Sequence, residues 1–389
     1  MKSPVKMIGC AELQLIQAAL RVDAARDIAL KNALNGQLQW EKVLSLARHH
    51  GVLPQLYLRL CEMEADKVPP AIMQEMIASQ QANELRTFQM TCDLIRIVRT
   101  LEAAGIAVLC LKGPALAVTA YGKPSMRHYG DLDILVRIEN YLRAKEILLQ
   151  MGARLTYPER AVNTSESRHD NFLYGDNSIE LHWQVTTPEF PDALPVDELF
   201  RNCRSISVNG QLLKTLSLED TVLNLLQHGT QHCWATLRHL AVLTATLQRM
   251  EAPELAATFV TAQAQGLLQP MLTGISLSHD LLGYTPPEEV PINLTGDQRT
   301  RRAIRLSKYL LVASNTDGPN DFERIHMQII SGHKNRFSTI YAILGTSFVP
   351  TATDYQWVKL PAYLRWLYPV LRPVRMIIKG IKILCLRKG

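Results

Sequence analysis

Two carboxylates, Asp131 and Asp133, stand two positions apart in the stretch Lys112 to Val136, KGPALAVTAYGKPSMRHYGDLDILV, and a third, Glu180, follows in SIELHW. The apolar run Leu132 to Val136 marks a strand, and a period of two puts both aspartates on one face of it. Carboxylates so placed can share a divalent cation, and an all-oxygen set selects Mg²⁺ (or Mn²⁺) over a thiophilic metal. Upstream, the apolar run Ile106 to Leu111 reads as a strand ending in Lys112, Gly113 and Pro114, with a helical segment, Ala115 to Tyr121, directly after it. Glycine permits close backbone approach and proline suits a first helical turn, so the corner offers N–H groups to an anion. A phosphate seat beside a metal site is the chemistry these residues suggest.

The order strand, Gly-containing turn, helix, and strand with D-x-D resembles the nucleotidyltransferase fold of the polymerase beta superfamily. The wording LKGPALAVTAYG followed by SMRHYGDLDILV is similar to the uncharacterised bacterial nucleotidyltransferases, whose pattern is LKG, a helix ending in Tyr, then R-x-x-G-D-x-D-L-L-V. The likeness continues through WEKVLSLARHHGVLPQLYLRL before this stretch, IELHW after it and SFVPTATDYQWVKLPAYLRWLYPVLRPVR near the end. It implies Mg²⁺-dependent transfer of a nucleoside monophosphate from an NTP to an acceptor hydroxyl, with pyrophosphate release. Asp131, Asp133 and Glu180 are then the catalytic and metal-binding candidates, the aspartates bridging the metal and Glu180 serving the acceptor side. Lys112, Gly113, Arg127, Gly130 and His182 are the nucleotide-binding candidates. Arg127 matches the pattern, His128 does not, and Pro114 stands where the superfamily usually has Gly or Ser. Each candidate also has an ordinary role to be weighed: exposed acids at a strand end, a strand-edge Glu, a Lys that only caps a strand.

Bulk properties narrow the class. With 389 residues, 47% hydrophobic and 20% charged, the chain can form two or three packed units and does not read as disordered. The seven cysteines are scattered, which suggests neither a zinc framework nor a disulfide scaffold and fits a reducing cytoplasm. No secretion signal or membrane span is read, so a cytoplasmic location is expected, with peripheral contact at the inner membrane surface as the variant. The net charge is +6, yet eight of the 42 Lys and Arg lie beyond Asp354, where there is no acid. The basic character belongs to the tail, and no specific nucleic-acid partner is expected.

The elements that must position these residues follow from the periodicity. Several short helices are expected from Glu12 to Leu60, then a long one from Ile72 to Gly105 that delivers the chain into the first strand. After strand Leu132 to Val136, a helix is expected over Glu139 to Met151, and strands over Ala153 to Tyr157, Phe172 to Tyr174 and Ile179 to Val185. Between them Pro158 to Asp170 reads as a polar loop or flap near the site. On the last strand Glu180 and His182 share one face, Leu181 and Trp183 the other. Ser217 with Asp220 resembles a capping box that starts a helical remainder. The fold class is α+β: a helical unit over 1–104, a small mixed-sheet nucleotidyltransferase core over 105–215, and a helical unit over 216–389 that closes the cleft.

Three further features stand outside that scheme. His228 and His232 are four apart on a helix, so their rings share a face; helix packing is the expected role, metal or phosphate binding the alternative. In LRHLAVLTA, Val242 stands where the family usually carries Asp. The tail from Pro369 to Gly389 places Arg372, Arg375, Lys379 and Lys382 in one stripe and Leu371, Val374, Ile378 and Ile381 in another. It is either a helix that binds anionic membrane surfaces or a terminal helix packed on the body. Accordingly, two other functions compete with catalysis: a silent nucleotide-binding regulatory module, and a membrane-associated accessory protein in glycan or peptide-natural-product assembly.

Overall fold

The computed structural model describes residues 7–156, 168–185, 190, 193–288, 290, 297–313, 329, 348, 354 and 357–375. Four short helices come first, α1 (Ala11–Ala19), α2 (Arg26–Leu34), α3 (Trp40–His49) and α4 (Leu53–Met63). The long helix expected next is α5 (Pro70–Ala103), with proline in its first turn. At 1.5 Å per residue its 34 residues run about 50 Å. That length lets α5 serve two cores. Ile72 and Met76 pack with α1–α4, whereas Met90, Leu94, Ile97, Val98 and Leu101 pack against the sheet.

The sheet follows as β1 (Leu109–Cys110), α6 (Gly113–Tyr121), β2 (Asp131–Leu135), α7 (Tyr141–Gln150), β3 (Arg154–Leu155), β4 (His169–Tyr174), β5 (Asn177–His182), α8 (Val196–Asn202), β6 (Arg204–Val208) and β7 (Gln211–Thr215). Its seven strands lie in the order β3-β4-β5-β2-β1-β7-β6, with β2–β5 and β1–β7 parallel and the other pairs antiparallel. The fold is therefore mixed α/β, with a mixed sheet among helices. Only two residues of the expected strand 106–111 form the ladder, because the Ile106 N–H still bonds the Leu101 carbonyl of α5 at 3.0 Å. The expected loop ending at Asp170 stops earlier: β4 begins at His169, and Asp170 is buried, accepting from the Tyr141 hydroxyl and from Lys145 at 3.1 Å. Positions 158–167 of that loop lie outside the described residues. The β6–β7 hairpin was not expected. Its turn, Asn209 at φ 49° and Gly210 at φ 75°, has two left-handed residues in succession, as a tight hairpin turn needs.

Helices close the structure over the sheet: α9 (Leu218–Gln231), α10 (Leu237–Leu247), α11 (Ala252–Ala264), α12 (Leu268–Leu282) and α13 (Gln298–Ala313). Ser217 caps α9 as expected, its Oγ accepting from the Asp220 N–H at 3.0 Å. One apolar cluster joins α1–α4 to α9–α12, so helices from before and after the sheet share a core. No described helix is long and apolar enough to cross a membrane. In the tail, 368–375 is helical, and Arg372 and Arg375 both pair with Asp354, which is 1% exposed. Leu371 is partly buried and Val374 exposed, while Ile378, Lys379, Ile381 and Lys382 lie outside the described residues.

Candidate active site

Strands β2 and β5 bring the carboxylates together. Their parallel register sets Asp133 opposite Glu180, and the alternation that buries Leu132, Ile134, Ile179 and Leu181 turns Asp133, Glu180 and His182 to the other face. His182 Nε2 lies 3.1 Å from Glu180 Oε2 and 3.3 Å from Asp133 Oδ1, so one imidazole nitrogen spans both acids. Lys112 Nζ donates to the same Asp133 oxygen at 3.0 Å. Asp133 is 1% exposed, and its Oδ2 is buried with no hydrogen-bond partner among the described residues. His182, a nucleotide-binding candidate from the sequence, bonds both acids.

Charge sets the state of each group. Burial works against ionising Asp133, but Lys112 and His182 outweigh it and hold the carboxyl well below the usual range. Asp131 moves the other way, raised by burial and then by the neighbouring Asp133 charge. The hydrogen bond from His182 lowers Glu180 despite burial. Burial also opposes protonation of His182, yet its bonds to the two acids raise it. The cluster therefore favours ionised Asp133 and Glu180 held against cations.

The corner before α6 is built as the sequence suggested. Gly113 takes φ +57°, and a Cβ there would sit 3.3 Å from the Asp131 carbonyl oxygen, so both conformation and space require glycine. No side chain caps the helix at Lys112, and Pro114 lies in its first turn. The approach to Asp131 is held from the N-terminal helices: Asn83 donates to the Ser125 carbonyl and Gln55 to the Met126 carbonyl, each at 2.7 Å. These bonds fix the chain just before Arg127. Arg127 Nη1 is buried without a hydrogen-bond partner among the described residues, and Arg127, Gly113, Gly130 and Asp131 line a cavity of about 250 Å³. A second cavity of about 260 Å³ is lined by Glu180, His182, His169 and Gln184. Lys112 and His228 border both, so the two cavities flank the carboxylates between the sheet and α9.

Residues 36–283 match the family model described as uncharacterised nucleotidyltransferase. The chain belongs to that family. It is accordingly a nucleotidyltransferase. No curated protein matches the chain. A solved structure with some likeness, that of the antibiotic-resistance factor ANT(2'')-Ia, is 12% identical, covers 45% of this chain and 92% of that one, and has a TM-score of 0.35. So loose a likeness carries no argument here.

Around this nucleotidyltransferase core lie residues that the sequence reading did not place in the site. His169, assigned to the loop, sits with its ring centroid 4.8 Å from that of His182. It pairs opposite His182 in the β4–β5 ladder, a relation invisible until the register is known. His228 and His232, read as packing residues, border the first cavity together with Arg238 and His239. The chain between α9 and α10 doubles back there, which helical spacing alone does not signal.

Proposed function

We propose that this nucleotidyltransferase moves a nucleoside monophosphate from an NTP to an acceptor hydroxyl in a Mg²⁺-dependent reaction. The observation that carries the reading is the in-register pair Asp133 and Glu180, with Asp131 on the strand of Asp133 and one buried Asp133 oxygen left without a partner among the described residues. Such an orphaned carboxylate oxygen beside a second carboxylate fits a divalent cation. Asp131 and Asp133 would hold it, with Glu180 on the acceptor side. When bound, Mg²⁺ (or Mn²⁺) neutralises triphosphate charge and orients the reacting oxygens. The donor triphosphate fits the cavity lined by Gly113, Arg127 and Gly130, and the acceptor fits the neighbouring one beside Glu180.

The acceptor oxygen bonds to the α-phosphorus, the bond to the bridging oxygen of the β-phosphate breaks, and pyrophosphate leaves. The hydroxyl proton passes to the Glu180 oxygen that is not bonded to His182. Arg127 and Lys112 offset the charge gathering on the phosphates, and His182 keeps Glu180 ionised and oriented. In this reading 105–215 supplies the chemistry, and the helices of 216–389 form the far wall of the cleft, with 1–104 bracing the loop before Arg127.

The test is incubation of the full chain with each labelled NTP and a cell extract, with and without Mg²⁺, reading pyrophosphate and any labelled product. Nucleotide binding without pyrophosphate under any condition would favour the regulatory module instead. The membrane-associated reading has less support, because two of the four cations in its basic stripe are engaged by Asp354. Liposome flotation separates it from the others.

A further inference from the structure

The turn between α9 and α10 gathers three histidines. After His232 the chain passes through Cys233 and Trp234, both left-handed at φ 53° and 54°, and α10 runs back beside α9. Trp234 is fully buried against two glycines: a Cβ on Gly229 would meet its ring at 2.4 Å, and one on Gly274 at 3.0 Å. This wedge sets His239 of α10 against His228 and His232. Ring centroids of the three lie 4.6 to 5.2 Å apart, and each ring offers one nitrogen such that all three nitrogens lie within 4.8 Å of one another. His239 Nδ1 is 3.0 Å from Thr236 Oγ1, a bond that fixes its ring and leaves Nε2 for a ligand.

A tetrahedral zinc site needs its nitrogens about 3.4 Å apart, given Zn–N bonds of about 2.0 to 2.1 Å. Nitrogens now within 4.8 Å of one another would each have to move by about 1 Å to meet a shared ion. Three imidazoles without a carboxylate select Zn²⁺-like ions over Mg²⁺. Lys112, Arg127 and Arg238 border the same cavity and oppose a bare dication, while Asp131 across it offsets them in part. An ion there would accordingly carry an anionic fourth ligand.

We propose that His228, His232 and His239 form a three-imidazole site for a transition-metal dication of the Zn²⁺ type, separate from the carboxylates on β2 and β5, with its fourth position open to the cavity. The assignment does not depend on nucleotidyl transfer, and its test uses no nucleotide. The full chain, stripped with chelator, is titrated with Co²⁺ as a spectroscopic stand-in for Zn²⁺. One equivalent should bind with a tetrahedral visible band that Zn²⁺ abolishes. His232→Ala, at an exposed position, should weaken binding roughly a hundredfold, and Thr236→Val about tenfold. Glu180→Gln should leave the band in place. Loss of the band in Glu180→Gln with retention in His232→Ala would assign the ion to His169, Glu180 and His182 and overturn the proposal. So would absence of a saturable band in the wild-type chain. Should the variants misfold, X-ray absorption of the Zn²⁺-loaded wild type decides: three imidazoles are expected, and two or fewer would refute the site.

Discussion

At the residue scale the two aspartates differ in what they risk. Asp131 is only partly buried and has no side-chain bond to replace among the described hydrogen bonds, so Asp131→Asn should lower transfer about a thousandfold while leaving the melting temperature unchanged. Asp133→Asn should be as inactive and also less stable by about 1–3 kcal/mol, because Lys112 and His182 lose a buried charged partner. Thermal melts beside pyrophosphate assays separate the two effects; a stable, active Asp133→Asn would remove that residue from the chemistry. The shared strand of Asp131 and Asp133 was legible in the sequence because a strand's period of two fixes which side chains share a face, whereas Glu180 was a candidate through the family resemblance of IELHW. His182 was legible as a neighbour of Glu180 but not as its partner. That role follows from the pairing of β2 with β5, and no local pattern encodes which strand lies beside which.

At the element scale, polar bonds between helices carry the positioning. The α10 N-terminus is capped from the first helical unit: Leu237 N–H donates to His50 Nδ1 at 3.4 Å, and Arg238 N–H to the His50 carbonyl at 3.1 Å. Burial holds His50 down at about 4, with His49 and Arg238 adding to the effect. The unfolded chain protonates near pH 6.5 and the folded one only near 4, so stability is complete above about pH 6.5 and is lost as pH falls between these values, by about 3 kcal/mol at most. Chemical denaturation at pH 7.5 and 5 should show this slope reduced in His50→Asn, whose amide oxygen can accept the same bond without titrating. A second bond of this kind is that from Asn83 to Ser125. Asn83→Leu leaves that carbonyl without its donor, which should cost about 1–3 kcal/mol and raise KM for NTP more than it lowers kcat. Long helices such as α5 were readable from their apolar spacing. The β6–β7 hairpin was not, although Asn209–Gly210 between alternating residues is a strong turn signal. It was masked because Leu212 and Leu213 are adjacent, and Leu212 is 76% exposed, which blurs the alternation.

At the scale of the whole molecule, the tail and the order of strands matter. Asp354 binds two arginines from 368–375, so Asp354→Ala should lower the melting temperature and speed proteolysis of the tail; an unchanged cleavage rate would mean the pairs do not hold it. The parallel pairing of β1 with β7 has a different consequence. Cys110 meets Thr215, whose hydroxyl donates to the Cys110 carbonyl at 2.6 Å, and everything between them in sequence belongs to the rest of the sheet or its connections. During synthesis β1 therefore leaves the ribosome long before its second neighbour exists. One edge of a strand as apolar as Leu109–Cys110 stays open for that interval, at a translation rate of about 5–20 residues per second. Non-local closure of this kind is slow compared with helix formation. Until Thr215 emerges, that side of β1 has no strand partner, and the core that α1–α4 share with α9–α12 is also still incomplete.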